Sequence, residues 1–120
     1  FNMEGDKAAL RDGSVFEYCK LNDMVIQAWS VLQFGYFKGN FVGNEKFQQL
    51  NQVLNRLALK YSVSPSAIAI AWVLRYPAKM QAIVGTTNPK HLIEASQASN
   101  VNLTRKEWYE IYLAAGNDLP

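Results

Sequence analysis

Residues 82–95 read AIVGTTNPKHLIEA: a short apolar, β-branched run, then Gly-Thr-Thr-Asn-Pro, then a segment with helical spacing. Together with Met80 and Gln81, the run up to Thr86 has the composition of a short strand. Asn88 followed by Pro89 is a helix-start signal, because a capping amide precedes a residue whose missing N–H costs nothing at the first helical position. The stretch is therefore read as strand, turn and helix, with the helix ending near Ala98.

Such a turn allows two readings. In the first, Asn88 caps the helix, Thr86 and Thr87 finish the strand, and Lys90 is solvated. In the second, the unpaired N–H groups of the first helical turn attract an anion, assisted by the threonine hydroxyls, Lys90 and His91, with Gly85 permitting close approach. A helix terminus contributes about 0.3–2 kcal/mol to a bound anion, whereas micromolar affinity needs about 8 kcal/mol. The turn alone is thus too weak to hold a nucleotide.

Upstream, MVIQAWS (residues 24–30) is a second compact run of β-branched and aromatic residues and reads as a buried strand. Before it, Phe1–Gly13 shows only turn-forming polar residues, and Ser14 opens a short helix to Leu21 with Val15, Phe16, Tyr18 and Cys19 on one side. After it, residues 31–44 hold three glycines and four aromatics, which suits an ordered loop lying on an apolar surface. From Glu45 onward, Phe47, Leu50, Val53, Leu54, Leu57, Ala58 and Tyr61 trace an amphipathic helix. Ser64-Pro65 starts another that runs to about Arg75, before Pro77. Thr104 with Glu107 three residues later is the signature of a capping box, opening a last helix that carries Trp108, Ile111 and Tyr112.

Two strands, each followed by helices, are the pattern of β/α units in a parallel sheet. A lone parallel pair leaves both edges and its faces uncovered, so the chain reads as a piece of a larger sheet or barrel.

The bulk properties narrow the function classes. The chain has 120 residues, a formal charge of +2 and no run of like charges, which gives no footprint for nucleic acid or a membrane surface. No stretch approaches the roughly 20 apolar residues that span a bilayer, and no signal peptide is evident at the N-terminus. Cys19 is the single cysteine, which excludes an internal disulfide, fits a reducing cytoplasmic compartment, and is most simply a buried small hydrophobe. Phe1 stands where a start codon would place Met, an indication that the natural beginning lies upstream.

Candidate chemical groups are few. His91 is the only histidine, so a histidine metal cluster is excluded, and it has no evident nucleophile beside it. Trp29 and Ser30 end the first strand, where parallel sheets and barrels place ligands; Trp29 can stack on a flat ring, though a core position is the simpler reading. Trp72 and Trp108 lie in amphipathic helices and read as packing residues. None of the six tyrosines stands in an evident catalytic constellation with Lys, Asp and His.

Taken in order, VIQAWSVLQFGYF (25–37), SPSAIAIAWVLRYPAKMQAIVGTTNPKHLIEA (64–95) and LTRKEWYEIYLAAGNDLP (103–120) resemble the C-terminal portion of the aldo-keto reductases, nearest to a bacterial branch of predicted oxidoreductases. The resemblance implies an α/β fold, a C-terminal fragment of a (β/α)8 TIM barrel, mostly helical with about two parallel strands. Met24–Ser30 would be the seventh strand and Gln81–Thr86 the eighth. A full barrel takes about 250 residues, so residues 1–120 form a single partial domain.

The resemblance also implies a cofactor, NADP(H). An aromatic at the position of Trp29 stacks on the nicotinamide, and Ser30 with the backbone around Leu32 and Gly35 approaches the pyrophosphate. Residues matching Thr86, Thr87, Asn88 and His91 surround the adenosine 2′-phosphate, and Glu94 and Ala95 match positions beside the adenine. Two departures concern the site: the family commonly has Arg or Lys at the position of Asn88, of His91 or of both, and Pro at that of Val31. The family's Asp, Tyr, Lys and His catalytic group comes from earlier strands, so no residue here takes those roles. The expectation is a fragment of an oxidoreductase for small-molecule carbonyl substrates, inactive and weakly cofactor-binding by itself, and prone to self-association through its open sheet. Two other readings of the same residues are a non-catalytic nucleotide- or phosphate-binding module built on Gly85–His91, and a helical interaction domain with Trp72 and Trp108 as its partner face.

Overall fold

A computed structural model describes residues 14–35 and 38–119. The N-terminal segment read as loop, Phe1–Gly13, lies outside the described residues, as do Tyr36 and Phe37. The element order is α1 (Ser14–Leu21), β1 (Val25–Ala28), a loop, a 3-10 turn (Glu45–Phe47), α2 (Gln48–Tyr61), α3 (Pro65–Leu74), β2 (Lys79–Ala82), α4 (Pro89–Ser96), a 3-10 turn (Gln97–Asn100) and α5 (Arg105–Ala114).

β1 and β2 pair in parallel, with Val25 opposite Lys79 and Ala28 opposite Ala82. Both strands are shorter than expected, and β1 is not buried. The run Met24–Ser30 contains four ladder residues and Met80–Thr86 only three, β2 starting one residue earlier at Lys79, although the Ile83 amide still donates to the Ala28 carbonyl at 2.8 Å. Each strand pairs only with the other among the described residues, so nothing holds the ends of the runs in a ladder. Exposure alternates along both strands: Val25, Gln27, Lys79 and Gln81 are exposed, while Ile26, Ala28, Met80 and Ala82 are half-buried. Helices α1 and α3 pack against β1 and β2 respectively. On the exposed side, Gln27 Nε2 donates to Gln81 Oε1 across the pair at 3.1 Å.

α3 is the centre of the molecule. Ala67, Ile68, Ala69, Ile70 and Ala71 are all buried, as expected of a helix that is apolar all round. Its start follows the local signal: Ser64 Oγ accepts the Ala67 N–H, and Pro65 occupies the first turn. Around it sit α2, contributing Leu50, Leu54, Leu57 and Ala58, and the C-terminal segment, contributing Val101, Leu103 and Ile111. Each large aliphatic side chain fully buried here stabilises the fold by about 1.5–3 kcal/mol.

α1 departs from expectation. No residue of it is fully buried, Val15 and Tyr18 are exposed, and Cys19 is only half-buried. Phe16 makes its aromatic contact with Tyr76, ring centroids 4.8 Å apart. The helix thus lies on the edge of the structure rather than in its core.

The capping box of α5 forms as its spacing requires and is built into a larger network. Thr104 Oγ1 accepts the Glu107 N–H at 3.3 Å, and Glu107 Oε2 accepts the Thr104 N–H and hydroxyl, both at 2.8 Å. Glu107 is buried, and from α2 Lys60 Nζ reaches its Oε1 at 2.7 Å while the Tyr61 hydroxyl lies 2.8 Å from its Oε2. Burial alone would raise the Glu107 carboxyl, but the donors from Lys60, Thr104 and Tyr61 outweigh it and hold the pKa at about 2. The same contact raises Lys60, and burial followed by the neighbouring carboxylate raises Tyr61.

Candidate functional site

The two strand ends open onto one cleft. Past Ala28, Trp29 is 65% exposed, and Ser30 turns the chain with φ of 55°, in the left-handed region that a non-glycine residue seldom adopts. The Gln33 amide closes this turn on the Ser30 carbonyl at 2.9 Å. Sharp, locally strained turns of this kind recur where a chain is held for function.

In the described part of the loop that follows, Phe34 and Phe41 pack onto the core, as the composition suggests. Phe41 is 1% exposed, and the Phe34 and Phe47 rings pack with centroids 5.1 Å apart. Gln33 and Asn40 form an isolated antiparallel bridge, and the Phe41 amide donates to the Leu32 carbonyl at 3.1 Å. Leu32, Gln33, Gly39 and Asn40 thereby become a wall of the cleft.

The opposite wall comes from the stretch after β2. Asn88 behaves as the capping reading requires: its Oδ1 accepts the Lys90 N–H at 3.0 Å, and its own N–H donates to Thr86 Oγ1 at 3.1 Å. α4 then presents His91, Glu94 and Ala95, and Ser66 arrives from the first turn of α3.

The enclosed volume is about 560 Å³, within the range of about 300–1,000 Å³ typical of small-molecule sites. Of the ten residues expected at a cofactor site, the cleft gathers Trp29, Ser30, Leu32, Thr86, His91, Glu94 and Ala95. Gly35, Thr87 and Asn88 do not line it. Asn88 is turned into the helix cap, and Gly35 sits behind the wall, where an added Cβ would meet the Lys38 side chain at 2.9 Å. Gly85 does line it, and a Cβ there would meet nothing within 4 Å, so the glycine leaves room for a ligand rather than for protein.

Sequence reasoning missed the polar contributions of Gln33, Asn40 and Ser66. Ser66 was detectable in principle, since a helix whose first turn faces the strand ends points its second residue toward them. Gln33 and Asn40 depend on the path of an irregular loop.

The cleft offers an exposed indole, several hydroxyl and amide groups, one imidazole and one carboxylate: groups suited to orienting an extended, partly aromatic, polar ligand. No tyrosine or lysine among the described residues lines it, and Lys60, Tyr61 and Glu107 stand elsewhere. The described residues contain no cluster of three or more His, Cys, Asp or Glu able to hold a metal ion, and no single helix long and apolar enough to cross a membrane. A second hollow, at the opposite ends of the strands, is lined by Cys19, Lys20, Asp23, Met24 and Lys79 among others, with Lys79 and Asp23 paired. The cleft is thus at the C-terminal ends of parallel strands, the end that carries chemistry in β/α folds.

The chain is similar in sequence and in fold to known proteins. The sequence model of the Aldo/keto reductase family matches residues 9–114. A 6-dehydroglucose reductase of Agrobacterium fabrum is 36% identical over 94 residues, which are 77% of this chain and 30% of that protein. Oxidoreductase YdhF of Escherichia coli is 32% identical over 95 residues, again 30% of its length. The crystal structure of the thermostable aldo-keto reductase Tm1743 superposes with a TM-score of 0.65 at 22% identity, covering 92% of this chain and 36% of that one. MGS-M4, an aldo-keto reductase from a deep-sea metagenome library, gives 0.58 at 16% identity. The chain spans about a third of the length of these relatives, and its fold is that of part of a (β/α)8 barrel. With a family match running from residue 9 to residue 114 and the fold to accompany it, this chain belongs to the aldo/keto reductase family.

Proposed function

We propose that the chain is the C-terminal part of an NADP(H)-dependent oxidoreductase and supplies one wall of its cofactor site. The observation that carries this reading is the cleft itself, in which strand-end residues Trp29 and Ser30 meet Thr86, His91, Glu94 and Ala95. The residues fit the group: Trp29 would offer a flat face to the nicotinamide, Ser30 and the backbone near Leu32 would hold the pyrophosphate, and Thr86 with His91 would hold the 2′-phosphate. Glu94 and Ala95 take the adenine side. When bound, the cofactor would supply a hydride to the carbonyl of an aldehyde or ketone; in this reading His91 and Glu94 are taken up at the adenosine end and no tyrosine or lysine among the described residues lines the cleft, so the proton would come from a group outside it.

With one wall of the site and no proton donor at its nicotinamide end, the 120-residue chain binds NADPH weakly and does not turn it over. Helix-terminus and hydroxyl contacts of this kind fall well short of the roughly 8 kcal/mol of micromolar binding. Mixing the purified chain with NADPH and a panel of aldehydes, and following absorbance of the reduced cofactor, tests this directly. No turnover is expected, whereas sustained oxidation would overturn the assignment of the proton donor to another part of the protein.

The open sheet points to self-association. Val25, Trp29 and Ile83 are exposed around the pair, and each strand pairs only with the other among the described residues. Two other classes remain as outcomes of experiment: micromolar NADPH binding without chemistry marks a nucleotide-binding module, and a change at Trp72 and Trp108 on adding a protein but no nucleotide marks a helical interaction domain.

A further inference from the structure

Asn51 is the one uncharged polar residue buried within the apolar stripe of α2, between Leu50 and Leu54. Its side chain is fully used. Oδ1 accepts the Gly43 N–H at 2.7 Å, and Nδ2 lies 2.9 Å from the Phe41 carbonyl, 3.1 Å from that of Asn44 and 3.0 Å from that of Phe47. Two N–H bonds are therefore shared among three carbonyls, and the residues so held, 41 to 47, form the end of the loop after β1 and the 3-10 turn that follows it.

A peptide hydrogen bond joins the held segment to the cleft wall. Phe41, whose carbonyl Asn51 grips, donates its own N–H to Leu32, and Leu32 lines the cleft. Asn40, adjacent to Phe41, lines the cleft as well and bridges to Gln33. The Asn40 side chain accepts the Val42 N–H at 2.8 Å, tying the wall residue back to the held segment. From Asn51 to the wall there is thus one continuous set of hydrogen bonds through Phe41, none of it dependent on the strands.

We propose that Asn51 is the positioning residue for the loop wall of the cofactor cleft: it touches no ligand, but it fixes where Leu32 and Asn40 stand. A buried polar group this completely satisfied is costly to disturb, because removing it takes the side-chain acceptor from the Gly43 N–H and leaves the carbonyls of Phe41 and Asn44 with only their backbone donors, the N–H groups of Asn44 and Phe47. An apolar residue of similar size at this position fills the volume and loses the grip. The ligand part of the inference rests on the cofactor reading of the cleft; the structural part does not.

The test separates these two parts. In the wild-type chain, the amides of Phe41 and Gly43 exchange with deuterium as slowly as those of α3, although they lie in a loop; exchange as fast as that of the exposed Lys38 would overturn the proposal without any variant. In Asn51→Leu, exchange at Phe41 and Gly43 rises about tenfold or more while α3 and α5 stay protected, and unchanged exchange would overturn it. Asn51→Asp, which keeps the acceptor for Gly43 and loses the donors, serves if the leucine variant does not fold: Phe41 is released and Gly43 is not. For ligands, NADPH binding weakens several-fold in Asn51→Leu while adenosine 2′-monophosphate, which needs only the α4 side, binds as before. Equal weakening of both would show a general loss of structure and overturn the positioning role. Absence of NADPH binding in the wild type would instead sink the cofactor reading, with the exchange result left standing on its own.

Discussion

The indole rings of Trp72 and Trp108 stack with centroids 4.7 Å apart and planes 10° from parallel, and each Nε1–H donates to the other residue's main-chain carbonyl, at 2.9 and 3.1 Å. The pair ties α3 to α5 across 36 residues of sequence. Trp108 also stacks on Tyr112, with centroids 5.7 Å apart, so the contact extends along α5.

Replacing Trp72 with Phe removes one stacked indole and the bond it donates to the Trp108 carbonyl, while the Trp72 main-chain carbonyl that accepts from Trp108 Nε1 is kept. Stacking contributes about 0.5–1.5 kcal/mol and a buried indole bond about 1 kcal/mol, so a loss of about 1–3 kcal/mol is expected in chemical denaturation. Two indoles this close couple their transitions, and the coupled signal in circular dichroism should vanish in Trp72→Phe. Persistence of that signal would contradict the stack.

The Glu107 network sets an acid limit. The carboxyl falls from an ordinary 4.5 to about 2 in the folded chain. A depressed folded pKa contributes stability that is fully present above the unfolded value and is lost as pH falls through the folded one. The stability gap between wild type and Glu107→Gln, expected at about 1–3 kcal/mol near neutral pH, should therefore close between about pH 4.5 and pH 2. Denaturation curves at stepped pH check this; a gap constant down to pH 2 contradicts the network.

Gly85→Ala separates fold from site. The added methyl meets nothing within 4 Å, and Gly85 does not have positive φ, so stability should hold or rise by about 0.4–1 kcal/mol. If the cofactor approaches the backbone there, NADPH binding weakens in the same variant. A large loss of stability would show that Gly85 is a structural necessity.

Sedimentation velocity across a range of concentrations tests the open sheet. A growing fraction of dimer or larger species is expected as concentration rises, with Val25→Lys on the exposed face reducing it. A strictly monomeric chain at high concentration contradicts self-association.

What could be read in the sequence was what is decided locally. Ser64-Pro65, Asn88-Pro89 and Thr104 with Glu107 each cap the helix they announce, because the donors and acceptors involved lie within three residues of one another. The core stripe of α2 follows from periodicity, whereas the expectation that Trp29, Ser30, Thr86 and His91 share a cleft comes from the family resemblance. Strand length was not readable, since it depends on which neighbours pair with a strand; nor was the half-burial of α1. Asn51 carries no signal in the apolar spacing of α2, and its meaning lies in the loop carbonyls it meets. Lys60 and Glu107, 47 residues apart, and the Trp72–Trp108 pair are brought together only by the packing of α2, α3 and α5.

The central claim is that this chain carries one wall of a nicotinamide-dinucleotide site at the C-terminal ends of its two strands. Titrating the isotopically labelled chain with NADPH to millimolar concentration, and following amide and indole NMR signals, measures it even if binding is weak. Shifts are predicted for Trp29, Ser30, Leu32 and Gln33 on one wall and for Gly85, Thr86, His91, Glu94 and Ala95 on the other, with Cys19, Lys20 and Lys79 at the opposite ends of the strands unmoved. No shifts in the cleft, or shifts centred on the Cys19–Lys79 hollow, would contradict it.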